Sequence, residues 1–168
     1  MSGNWRIGTF NGALLAAYFI PAWTIAAFNI ILSPIHSLYE RPNISLALFV
    51  SDHLQLSGLA TVRVALLLAL GRITVVAFLA AFLVFVARAS TRRSGGCHEA
   101  LGIALAIGSV MSFAGVVMAS QAGETAALRL HAAELLMMLG TVIVMLIERP
   151  AQPQASAAPA GLTLQQTC

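Results

Sequence analysis

The sequence contains no lysine, and its nine arginines and six acidic residues make up only 9% of 168 residues. An ordinary soluble domain carries about 25% charged residues. That shortage excludes a soluble globular fold, because a chain of this size in water needs a polar shell that fifteen charges cannot supply. Charged clusters are scarce too. The arginines stand singly or in one short group beside apolar runs, the positions that orient a membrane chain. The net charge of +3 therefore gives no reason to expect a nucleic-acid partner.

Cysteine is also rare. Cys97 and Cys168 form no Cys-x-x-Cys pair, which excludes a disulfide framework and the dicysteine chemistry of quinone-linked thiol enzymes. Gly-x-Ser-x-Gly, His-Glu-x-x-His, a phosphate loop and a dinucleotide glycine cluster are all missing. No catalytic residue is assigned, and a non-enzymatic protein is expected. The two halves share no repeat, so an internally duplicated transporter is not indicated.

What the chain has in quantity is apolar surface, 59% by composition. Lipid is the solvent in which such a surface is not penalised, and there helices must satisfy their own backbones. Four runs reach the roughly 20 residues needed to span the hydrocarbon: about 7–32, 64–87, 100–119 and 125–147. The first is too long in its apolar core for a cleaved signal peptide, and Pro21 near its middle removes one helix hydrogen bond. Asn11, Trp23, Thr24 and Asn29 should favour its protein-facing side. Pro34, Glu40, Arg41, Pro42 and Asn43 punctuate a loop. The segment 43–57 that follows is too short and polar to span, and reads as an interfacial helix or a re-entrant lid. Residues 151–168, rich in Ala, Pro and Gln, read as a disordered tail. The expected fold is all-α: an integral membrane four-helix bundle with a short outer-side interfacial or re-entrant segment.

Arginine counting sets the orientation. Arg88, Arg92 and Arg93 follow the second span, Arg6 precedes the first and Arg149 follows the fourth. Four spans put all of these on one face, which the positive-inside rule assigns to the cytoplasm. Both termini are then cytoplasmic. The lack of lysine, with abundant Ala, Leu and Gly, suggests a bacterial inner-membrane protein from a GC-rich genome.

Few groups can carry chemistry. Arg72 lies inside the second span, several ångströms below the outer boundary at 1.5 Å per residue. A charge at the centre of a span costs roughly 2.5–3.5 kcal/mol on insertion scales, so a partner is expected, and Glu134 on the fourth span is the candidate. His131 and Glu134, at i and i+3, share a helix face. By this topology His36 and His53 fall in the same outer layer, with Asp52 nearby. His131, Glu134, His36, His53 and Asp52 thus form a candidate ligand or proton site. Two readings of it involve a cofactor: a divalent metal, or a haem b held between two histidines.

Gly108, Ser112, Gly115 and Ala119 recur at four, three and four residues, a small-residue stripe that lets a second helix approach closely. That helix can belong to the same bundle or to another subunit.

Three roles follow. The first is a non-enzymatic subunit or accessory protein of a larger or self-associated membrane complex, with a membrane-protein partner or a homo-oligomer. The second is a small oligomeric transporter or channel using Arg72 and Glu134. The third is a haem- or quinone-linked redox subunit using the outer histidines. Tag-accessibility mapping is expected to find both termini and the 88–93 turn in one compartment. Termini on opposite sides would remove the depth assigned to Arg72 and Glu134.

Overall fold

The computed structural model describes residues 7–38, 40, 43, 47, 49, 53, 55, 57–88 and 96–148. It is an all-α bundle in which α1 (Ile7–Leu32), α3 (Gly58–Ala87), α4 (Gly96–Ala122) and α5 (Thr125–Ile147) are the long helices, and α2 (Pro34–Leu38) is a single short one. All four long helices are long and apolar enough to cross a membrane, and the chain is a multi-pass membrane protein. Large apolar side chains such as Phe10, Phe28, Leu67, Phe113 and Leu136 point outward, where lipid replaces water as the surrounding medium.

Three boundaries differ from the sequence reading. The second span begins at Gly58 rather than near 64, because Arg63 is exposed on the helix and its long side chain can extend to the interface without breaking the turn. The third runs from Gly96 to Ala122, a turn beyond the apolar core at its start, with His98 and Glu99 in that first turn. Residues 34–38, expected as loop, form α2. Pro34 opens it, at the position where the missing N–H of proline is harmless. Conversely, α1 continues through Pro21, whose ring is exposed on the bundle surface.

The helices pack in the ring α1–α3–α4–α5, and the seam that closes the ring between α5 and α1 is the loosest of the four. The core is filled by Phe19 and Trp23 of α1, Leu79 and Phe82 of α3, Leu101 and Leu105 of α4, and Met138 of α5. A second cluster joins Ala27, Ile30, Ala65 and Ala69 to Ala47. That contact seats part of the 43–57 segment on the bundle between α1 and α3. Most of that segment, the tail and the arginines at 6, 41, 92, 93 and 149 lie outside the described residues.

The turn between α4 and α5 is a Schellman cap. Gly123 takes φ +70°, the Glu124 N–H donates to the Ala119 carbonyl at 3.0 Å, and the Gly123 N–H donates to Ser120 at 3.3 Å. These bonds satisfy the carbonyls that the helix end would leave open. The tight turn sets α4 and α5 antiparallel and in contact, and the small-residue stripe faces α5. A Cβ on Gly108 would lie 2.8 Å from the Met138 sulfur, and one on Gly115 would lie 2.7 Å from the His131 ring. Ser112 and Ala119 are buried. The stripe is therefore occupied within the chain.

Gly115→Ala should lower stability by about 1–3 kcal/mol through overpacking. Gly102→Ala, whose new Cβ meets nothing within 4 Å, should raise it by up to about 1 kcal/mol, because alanine loses less backbone entropy in a helix. Thermal melts in detergent check the contrast, and equal melting points would show that the close approach at Gly115 is not tight in the membrane.

Candidate intramembrane binding site

Glu134 sits one turn after His131 on α5, on the face that α4 and α1 cover, and is 6% exposed. Three side chains hydrogen-bond to its carboxylate. Trp23 donates its indole N–H to Glu134 Oε1 at 3.1 Å. Ser112 donates its hydroxyl to Oε2 at 3.3 Å. His131 Nδ1 is 3.1 Å from the same oxygen, so Nδ1 carries the proton in this arrangement. Helices α1, α4 and α5 thus meet on one carboxylate. The stripe explains how Ser112 comes so close: glycines at 108 and 115 remove side chains on either side of it. Phe19 packs edge-on against Trp23 with ring centroids 5.1 Å apart, which fixes the indole plane.

Arg72 reaches the same place from α3. One guanidinium nitrogen, Nη2, donates to the Asn43 side-chain oxygen at 3.2 Å. Asn43 in turn donates to the Ser37 carbonyl at 3.0 Å, and the Ser37 hydroxyl donates to the Asn29 carbonyl at 2.7 Å. The arginine is thereby tied to α2 and α1 through the 43–57 segment. Its other terminal nitrogen, Nη1, is buried with no hydrogen-bond partner. No direct ion pair joins Arg72 and Glu134. On its own helix Glu134 is in direct contact with His131, at 3.1 Å.

Arg72 and Glu134 instead face each other across a cavity of about 40 Å³, lined also by Trp23, Asn43, Ser112 and His131. It has room for a few water molecules. A larger cavity of about 260 Å³ shares Trp23, Asn43, Arg72, His131 and Glu134 with it and extends along the α1–α5 seam past Tyr18, Ala26 and Leu130. Glu40 lies at this larger space as well.

The other sequence candidates do not gather here. His36 and His53 are exposed, line neither cavity, and His53 stacks on Phe49 with centroids 5.0 Å apart. Asp52 lies outside the described residues. Among the described residues no group of three His, Cys, Asp or Glu side chains converges for a metal. A haem b would need a second axial histidine facing His131, and neither cavity presents one. Two residues were missed as site residues: Asn43, read only as loop punctuation, and Trp23, read only as facing protein. A tryptophan well inside a span, rather than at its interfacial end, is the signal that was available for the second. Comparison with protein-family models, with curated proteins and with solved structures returned no match.

Two further bonds close the same seam toward the other end of the bundle. Asn11 donates to the Thr141 hydroxyl at 3.0 Å, and the Gly8 N–H donates to the Glu148 carboxylate at 2.8 Å. The three partners, Glu134 and Thr141 on α5 and Glu148 at its C-cap, are spaced by seven residues and so share one stripe.

Trp23→Phe keeps the aromatic volume and removes one donor from a buried carboxylate. Interhelical hydrogen bonds in membranes average about 0.6 kcal/mol and reach about 1.7, and the substitution should cost toward the upper figure. Chemical denaturation in detergent measures it, and an unchanged midpoint would mean that water replaces the indole.

Proposed function

We propose that this chain is a small non-enzymatic membrane carrier that binds a small molecule in the cavity between Arg72 and Glu134. One observation carries the reading. Arg72 lines one cavity with Glu134 yet hydrogen-bonds Asn43 and not the carboxylate, and its Nη1 is buried with no hydrogen-bond partner. A buried unsatisfied donor costs about 1–3 kcal/mol, and more when charged. A protein that merely used Arg72 to set helix register would close that gap with Glu134. This one has the two lining a cavity and holds the arginine to Asn43.

The loose α1–α5 seam supports the same reading. It is joined by three polar clasps rather than by close interdigitation, and the larger cavity runs along it. The subunit reading drew on the small-residue stripe, whose glycines at 108 and 115 are taken up by contacts inside the chain. The membrane is taken to be a bacterial inner membrane with both termini in the cytoplasm, on the strength of the arginine distribution among the loops. The cavity then lies in the outer half of the bilayer.

Native mass spectrometry of protein purified from its own membrane in mild detergent tests the proposal. The wild type is expected to retain a non-covalent small molecule that Arg72→Gln loses while staying folded and monodisperse. A wild type with no adduct that differs from the variant in nothing, or one that carries a companion membrane protein instead, would sink the carrier reading.

A further inference from the structure

We infer that the part of α1 beyond Pro21 is a lateral gate: it swings on the proline away from α5 and widens the large cavity toward the bilayer, while the part before Pro21 stays fixed. This motion goes beyond the carrier reading, since it is a property of α1 whether or not a small molecule fills the cavity. Pro21 lies inside α1. Its ring nitrogen has no hydrogen to donate, so the Ala17 carbonyl lacks its helical partner and the helix bends more easily there than elsewhere. The packing of α1 changes at the same point.

Before Pro21 the helix is locked. A Cβ on Gly12 would lie 2.7 Å from Leu101 and 3.0 Å from Phe82, so α4 and α3 both press on its backbone. Leu15 and Phe19 are buried among the large side chains of the core. Two clasps to α5, Asn11–Thr141 and Gly8–Glu148, close the seam along this stretch. After Pro21 the support is thinner. Ala27 and Ile30 rest on Ala65 and Ala69 of α3 and on Ala47, a surface with no large side chain to interlock with. Toward α5 a cavity of about 260 Å³ stands in place of packing, and of the α1 residues that line it, Ala22, Trp23, Ile25, Ala26 and Asn29 follow the proline. The clasp along this stretch is Trp23–Glu134. The polar tie to α3, from the Asn29 carbonyl through Ser37 and Asn43 to Arg72, ends on a long arginine side chain that can follow a small shift. At 1.5 Å per residue Asn29 stands about 12 Å beyond Pro21, so a swing of about 20° displaces it by about 4 Å.

Spin-label distance measurements on the full chain in lipid nanodiscs test the gate. In a background of Cys97→Ser and Cys168→Ser, one label pair sits beyond the proline, at Phe28→Cys on α1 and Ala126→Cys on α5. A second pair sits before it, at Leu14→Cys and Ile143→Cys, and all four positions are exposed. The first pair is expected to show two distances, the longer by about 4 Å, and the second pair one. Pro21→Ala restores the missing helix bond and should merge the two distances into the shorter. Trp23→Phe releases the clasp and should raise the long-to-short ratio about three- to twentyfold, the range between average and strong hydrogen bonds in membranes. Should Pro21→Ala fail to fold, Trp23→Phe decides alone. A single distance at Phe28–Ala126 in both the wild type and Trp23→Phe would overturn the gate. So would two distances at Leu14–Ile143, which would spread the opening along the whole seam. Two distances that persist in Pro21→Ala would overturn the proline as the hinge. None of these outcomes depends on the retained small molecule that tests the carrier reading.

Discussion

A buried carboxylate must be solvated by protein, and the satisfaction of Glu134 organises the part of this bundle where α1, α4 and α5 meet. Three helices contribute one donor each: the indole of Trp23, the hydroxyl of Ser112 and the imidazole of His131. None of these donors can move far without exposing the carboxylate. The glycines at 108 and 115 follow from the same demand, since α5 must approach α4 closely enough for Ser112 to reach Glu134. The Schellman turn at Gly123, by holding the two helices antiparallel, fixes the register in which that approach occurs.

Arg72 obeys the opposite logic. Its charge is balanced by Glu134 nearby, but its geometry is fixed by Asn43, and Nη1 is buried without a hydrogen-bond partner. Stability alone would favour collapse of the arginine onto the carboxylate. The chain of bonds from Asn43 through Ser37 to Asn29 opposes this.

The seams of the ring are unequal for a related reason. Where α3 meets α4 and α4 meets α5, small residues and large apolar ones interlock. Between α5 and α1 the contact is carried by separated polar clasps at Trp23–Glu134, Asn11–Thr141 and Gly8–Glu148. Hydrogen bonds in a membrane hold a pair of helices in register at modest energy. A seam built from them can part at one level while it stays closed at another, because each clasp breaks independently of the apolar packing elsewhere.

The sequence by itself determined the solvent and the architecture. A 59% apolar chain with 9% charge has no stable form in water, and the lengths of its apolar runs fixed the number of spans. It also marked the shared face of His131 and Glu134, which depends only on helix periodicity. Only the tertiary structure decided who meets whom. Helical phase shows that Trp23 faces protein but not that it faces Glu134, and nothing about Asn43 in a proline-flanked loop marks it as the brace for an arginine 29 positions away. Likewise the histidines at 36 and 53, equal to His131 in composition and apparent depth, separate from it because depth is one coordinate and convergence needs three. Pairing across helices is set by rotation and close approach, which small residues permit but do not specify.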